Sequence, residues 1–252
     1  MMLLVNKLIP VCKVLIYGLV ECLTLNKGVR RTINSDIVVF PVRYSRYYPD
    51  GYEIAKQAFI NKHCSGISLD LGAHIGLYTV VMARKCDRVL AFEPTLDTRK
   101  ALEKVVKLNK IDNVEIRSEA VAQISGSRYL KTRNDKISNA NGFYIEGLGK
   151  EVQVISVDDL GLEIDFIKMD IEGAELEVLK GATNVLRNIK AMTIEIHPRL
   201  ITLQSSSTEE IWDILARAEG TIFIDSKIMS KEDFVSRSDG FEIQVLFSKN
   251  RS

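Results

Sequence analysis

From residue 66 onward, short apolar runs of strand length alternate with stretches of helical period. Residues 66–71 (GISLDL) predict a strand, followed by a glycine turn and a helix over residues 77–85. Residues 88–93 (RVLAFE) predict a second strand. Residues 95–109 predict a helix with Leu96, Leu102, Val105, Val106 and Leu108 on its apolar side. Strands follow at residues 114–117, 164–169 and 191–196, with a helix over residues 174–187 between the last two. A helix over residues 208–218 and strands at 221–224 and 241–248 complete the pattern. Residues 127–131 and 151–157 have β character and flank a polar loop, residues 132–149. Upstream, residues 36–44 (DIVVFPVRY) read as a strand that Pro41 places at an edge, residues 44–51 as a loop and residues 53–62 as a helix.

Such alternation implies an α/β fold, a mainly parallel sheet with helices on both faces. The last two strands have no helix-length pattern between them, which predicts one antiparallel strand at the edge. At 252 residues the chain suits one large domain. We divide it into an N-terminal helix and strand extension, residues 1–50, and a single α/β domain, residues 51–252. Residues 1–25 are strongly apolar but interrupted by Lys7, Pro10, Lys13 and Glu21. A membrane span needs about 20 uninterrupted apolar residues, and no A-x-A-like cleavage site follows. Written as a helix from Val11, the segment carries Lys13, Tyr17, Glu21 and Thr24 on one narrow polar stripe. The rest needs cover. Packing on the core is the leading reading; a partner chain, or peripheral membrane contact through residues 1–28, stays open.

Composition changes this picture little. Apolar residues make up 46% and charged residues 27% of the chain, an ordinary globular balance that excludes disorder. Lys plus Arg (34) against Asp plus Glu (33) gives a net charge of +1, which argues against a nucleic-acid partner. Cys12, Cys22, Cys64 and Cys86 include no C-x-x-C pair, so they read as reduced thiols of a cytoplasmic protein, with membrane association left open.

In parallel sheets ligands sit at the carboxyl ends of the strands. The first such end reads Asp70-Leu71-Gly72-Ala73-His74-Ile75-Gly76. Its G-x-x-x-G spacing is not the G-x-G-x-x-G that cradles a pyrophosphate, which argues against a nicotinamide-type oxidoreductase. The Asp70 carboxylate would repel a diphosphate but suits a ligand carrying an ammonium group. Glu93, at the next strand end, is placed to accept both hydroxyls of a ribose. Beyond the third strand, Glu119 either meets an adenine amino group or is a solvated acid. Together these positions describe a nucleoside with an amino-acid tail, S-adenosylmethionine.

The run Asp70 to Gly76, then Phe92-Glu93-Pro94, then Ile167-Lys168-Met169-Asp170-Ile171-Glu172-Gly173-Ala174-Glu175, resembles the FkbM-family methyltransferases over residues 51–197. Val157-Asp158-Asp159-Leu160 adds to the likeness. The resemblance implies a class I methyltransferase Rossmann-like fold with a seven-stranded sheet. It further implies methyl transfer from S-adenosylmethionine, usually to a hydroxyl oxygen, here of a glycan or small metabolite. Under it, Asp70, Gly72 and Gly76 shape the methionine end of the cofactor, Glu93 binds its ribose and Glu119 approaches its adenine. His74 either contacts the cofactor or bonds the turn. N-methyl transfer, or a non-catalytic membrane- or partner-binding protein keeping the fold, are the rivals.

The fourth and fifth strand ends carry the reaction-side candidates, Asp170, Glu172, Glu175, Glu195 and His197. An alcohol is a poor nucleophile until its proton is being removed. His197 is the expected base and Asp170 its competitor, with Glu195 beside them. A third option places a magnesium ion between Asp170 and Glu195 or Glu172. Glu172 and Glu175 also read as helix-start acids complementing the dipole. Tyr47, Tyr48 and Tyr52 either stack on a ring of the acceptor or pack locally, and residues 132–149 are long enough for a lid or substrate wall.

Overall fold

The computed structural model describes residues 27–131, 143–144, 150–203 and 206–248. The predicted N-terminal helix, with Cys12 and Cys22, and nearly all of the polar loop at 132–149 lie outside them. The described chain begins with a hairpin, β1 (Val29–Ile33) and β2 (Asp36–Phe40), turning at Asn34 with φ 53°. β2 stops at Pro41, where the ladder loses its donor. Then come α1 (Ile54–His63), β3 (Ile67–Leu71), α2 (Leu77–Ala83), β4 (Arg88–Phe92), α3 (Leu96–Leu108) and β5 (Val114–Arg117). A small second sheet follows, from β6 (Ala120–Val121), β7 (Gly126–Lys131), β8 (Phe143–Tyr144) and β9 (Lys150–Ile155). The chain returns through β10 (Phe166–Met169), α4 (Glu175–Lys180), α5 (Thr183–Leu186), β11 (Ala191–Ile196), α6 (Pro198–Leu203) and α7 (Thr208–Arg217). It ends with β12 (Gly220–Ile224), β13 (Lys227–Ile228), α8 (Lys231–Val235) and β14 (Phe241–Phe247).

The main sheet runs β13-β12-β14-β11-β10-β3-β4-β5, with β11, β10, β3, β4 and β5 parallel. Of the last two predicted strands β14 is the antiparallel one, but it lies between β11 and β12, and the antiparallel edge is formed by the short β13. The sequence of β14 explains the insertion. FEIQVLF is mostly buried along its length, whereas β12 (GTIFI) buries only one residue fully and tolerates the rim. The two-residue β13 adds an eighth strand to the seven expected.

Two apolar clusters cover the faces. One centres on Leu69, Leu71, Ile167, Ile194 and Ile243, and the other on Val80, Val81, Val89 and Phe166. Ile33, Val38 and Phe40 of the hairpin join the second cluster, and the Asn109 side chain bonds both the N–H and the carbonyl of Val39. The helix expected over residues 174–187 is broken at Gly181. A Cβ there would stand 2.6 Å from the carbonyl oxygen of Ala122, so the chain bends where only glycine fits. The cysteine expectation also needs correction. Cys64, ending α1, and Cys86, just before β4, form a disulfide with Cα atoms 6.2 Å apart. Their 22-residue separation carries no recognisable motif. Among the described residues no helix is long and apolar enough to cross a membrane.

Candidate active site

At the end of β3 the chain turns through Gly72, whose φ of 76° lies in the left-handed region. A Cβ at Gly72 would stand 1.8 Å from the carbonyl oxygen of Asp170, so glycine alone lets the tips of β3 and β10 approach. His74, with φ 50°, donates its backbone N–H to Glu93 Oε2 at 3.1 Å, while Thr95 N–H donates to Glu93 Oε1 at 2.8 Å. Burial pushes the Glu93 carboxyl up, against those two donors. His74 Nδ1 lies 3.0 Å from the Tyr48 hydroxyl, and burial with nearby Lys168 lowers its pKa to about 4, so the imidazole stays neutral. The opening above these groups is a cleft of about 1100 Å³ counting its open mouth, walled on one side by Tyr47, Tyr48 and Tyr52. Gly72, His74, Glu93, Asp170, Glu172 and Glu195 all line it.

Three predicted cofactor residues sit elsewhere. Asp70 is fully buried beneath the cleft, where Thr79 donates to Oδ2 at 2.6 Å and Lys168 Nζ stands 3.1 Å from Oδ1. It pairs with Lys168 because the two are register partners on β3 and β10. A direct bond from Asp70 to a ligand ammonium is therefore closed. Gly76 caps α2 and faces Leu102, to which a Cβ would come within 2.6 Å. Glu119 pairs with Arg117 and lines a separate hollow with Ser118 and Gln153; its neighbours Ala120 and Val121 face the cleft instead.

Lys168 is the residue sequence reasoning missed at this end. It is 3% exposed, lines the cleft, and donates to the Gly72 carbonyl at 2.8 Å. Burial alone would lower its pKa, but Asp70 and Asp170 outweigh that and raise it. A charged residue inside the apolar strand FIKM was the available signal, since lysine is almost never fully buried unpaired.

The far end of the cleft is acidic. Burial disfavours the charged form of Asp170, yet Lys168, Lys56, His197 and His74 together hold its pKa below the usual carboxylate range. Glu172 is pushed up to about 7 by burial and by Asp170, Glu195 and Glu175 around it, against the opposing pull of His197. Burial and Asp170 also raise Glu195. Glu172 is not the helix-start acid expected: α4 begins at Glu175, whose Oε1 accepts from Gly173 N–H at 2.9 Å. His197 needs a larger correction. Its Nδ1 lies 2.7 Å from Glu175 Oε1 and its Nε2 3.5 Å from Glu172 and 3.7 Å from Glu195. Burial works against the charge, but Glu175, Glu172 and Asp170 raise the pKa to about 9. An imidazolium cannot accept the proton of an alcohol at neutral pH.

Lys56, without a sequence signal, is the cation behind these acids. Only 1% exposed, it reaches Glu53 at 2.5 Å and both Glu195 and Glu242 at 3.2 Å. Glu195 and Glu242 face each other across β11 and β14, a like-charge pair that this cation bridges. Ligand-type atoms of Asp170, Glu172 and His197 come within 4.8 Å of one another. Glu195, expected among the metal candidates, is outside that set and pairs with Lys56 instead.

The cleft fits a nucleoside with a zwitterionic tail on chemical grounds. Two of the residues lining it, His74 and Thr98, each carry a buried side-chain atom without a partner, Nε2 and Oγ1, beside carboxylates able to take hydroxyl or ammonium donors. Five parallel strands, an inserted antiparallel strand and a glycine turn facing acidic strand tips define a Rossmann-like methyltransferase of class I. The family model described as the methyltransferase FkbM domain matches residues 70–222. The chain belongs to that family of S-adenosylmethionine-dependent methyltransferases.

No curated protein matches the chain. Among solved structures, an rRNA methylase from Streptococcus thermophilus is 11% identical with a TM-score of 0.48, covering 77% of this chain and 95% of its own. A precorrin-6y C5,15-methyltransferase from Geobacter metallireducens is 14% identical with a TM-score of 0.46, covering 79% and 89%. TYW2 of M. jannaschii, in complex with AdoMet, is 14% identical with a TM-score of 0.43, covering 87% and 84%.

Proposed function

We propose that the protein O-methylates a hydroxyl group of a glycan or small metabolite, with S-adenosylmethionine held in the cleft between the glycine turn and Asp170. One observation carries this reading: Glu93 and His74 at one end, and Asp170, Glu172 and Glu195 at the other, line a single continuous cleft. The cofactor, when bound, supplies an electrophilic methyl carbon on a sulfonium sulfur. Glu93 would hold the ribose hydroxyls, using lone pairs left over from the Thr95 and His74 N–H groups. Asp170 draws the cationic end of the cofactor and excludes anionic acceptors. Glu172 receives the acceptor proton as the new carbon–oxygen bond forms and the carbon–sulfur bond breaks. Its pKa of about 7 matches that task at neutral pH. His197, as an imidazolium, holds Glu172 and Glu195 in place and takes no proton.

Calorimetry with S-adenosylhomocysteine tests the cofactor site. Wild type is expected to bind, and Glu93→Gln to weaken binding by roughly 10- to 100-fold through loss of charge-assisted bonds. No binding by wild type would sink the reading. The acceptor is tested by incubating cell extracts with methyl-labelled cofactor and the enzyme: label in an ether supports oxygen transfer, and label on nitrogen overturns it.

A further inference from the structure

Thr98 stands in the first turn of α3, 1% exposed, and its hydroxyl has no hydrogen-bond partner although the residue lines the cleft. A helical threonine ordinarily satisfies its hydroxyl on the carbonyl three or four residues back. Here those carbonyls belong to Thr95 and Pro94, which accept from Arg99, and neither takes the Thr98 hydroxyl. Among the described residues with such orphan atoms, only His74 and Thr98 line the cleft, and of the two only Thr98 is almost wholly buried. Buried polar groups are rarely left unpaired, and one left so in a residue that lines a cavity is a candidate to bond what fills that cavity. The surrounding wall, with Phe92, Glu93, Pro94 and Val121, is apolar apart from Glu93 and the backbone, which suits a ribose with its base.

We propose that Thr98 is a cofactor-binding residue whose hydroxyl bonds the nucleoside half of S-adenosylmethionine, not its amino-acid tail. The inference rests on the cofactor reading above. It also predicts opposite signs for folding and binding. The hydroxyl costs free energy in the ligand-free protein, where it is desolvated and unpaired, and returns it only in the complex.

The probes are S-adenosylhomocysteine and 5′-methylthioadenosine, which shares the nucleoside but lacks the tail. Thr98→Val keeps shape and branching and removes the hydroxyl; Thr98→Ser keeps the hydroxyl. Thr98→Val is expected to bind both probes about 5- to 15-fold more weakly, by the same factor, with Thr98→Ser close to wild type. The ligand-free Thr98→Val protein is expected to melt at the wild-type temperature or about 2–4 °C above it. Unchanged affinity for both probes overturns the proposal. So does a loss confined to S-adenosylhomocysteine, which would put the hydroxyl on the tail. A lower melting temperature with unchanged affinity would make Thr98 purely structural. Should Thr98→Val fail to fold, Thr98→Ala carries the same comparison. Wild type binding neither probe would instead refute the cofactor reading itself.

Discussion

The division of labour among the acids at the cleft is set by which cation each one meets. Asp170 has Lys168 and Lys56 nearby and stays ionised; Glu172 has only the shared His197 and titrates near neutrality. If Glu172 is the proton acceptor, turnover rises with pH through about 7 as its carboxyl ionises. Glu172→Gln is expected to lower kcat by about 10²-fold or more and to erase that rising limb, with affinity for S-adenosylhomocysteine little changed. A retained rising limb would move the role to Glu195, whose carboxyl is also raised. The sequence pointed at strand ends that border the cleft, yet it assigned the base to His197. That choice rested on the unperturbed histidine pKa of about 6.5, and three acids packed against the ring are a tertiary fact. Asp70 was misread for a related reason: its position at a strand tip was legible, whereas its cross-strand lysine depended on register between β3 and β10.

Elements with a strong local pattern were legible. β5 and β11 match their predicted bounds, β3 and β4 differ by one residue at one end, and α3 by one residue at each end. What failed depended on neighbours: the bend at Gly181, the inward place of β14 and the disulfide between α1 and β4. The role of α1 belongs with these. It delivers Lys56 to the junction of β11 and β14, where Glu195 and Glu242 would otherwise face each other uncompensated. Removing one partner of a buried ion pair typically costs about 3–5 kcal/mol. Lys56→Met is therefore expected to lower the melting temperature by roughly 6–20 °C. Adding Glu242→Gln should recover part of the loss, because one of the two opposed charges is then gone. A Lys56→Met protein as stable as wild type would mean that the bridge contributes nothing and that α1 is held by its apolar contacts alone.

Across the whole molecule the charges nearly cancel, at +1, while around the cleft acids outnumber bases, and this imbalance sets how stability responds to pH. Several groups around the cleft, Glu93 and Glu195 among them, bind their proton more tightly in the fold than in the open chain. Burial, chiefly, raises Glu172 and Glu242 from 4.5 to about 7, and surrounding acids raise His197 from 6.5 to about 9 despite its burial. For a raised group the folded state holds more protons than the unfolded one, so its contribution is complete below the unfolded pKa and lost as pH climbs through the folded value. The two glutamates thus withdraw stability between 4.5 and about 7, and His197 between 6.5 and about 9. Asp170 acts oppositely: its pKa is held below 3.8, so its contribution is present above that value and disappears in stronger acid. The melting temperature should therefore peak near pH 5 and fall by several degrees by pH 9. Glu242→Gln should flatten the part of the descent below pH 7 and leave the part above it, which belongs to His197. A plateau from pH 5 to pH 8 in the wild type would show that solvent or counter-ions already relieve the crowded carboxylates. It would also remove the ground for a neutral-pH base at Glu172, because the same crowding sustains both effects.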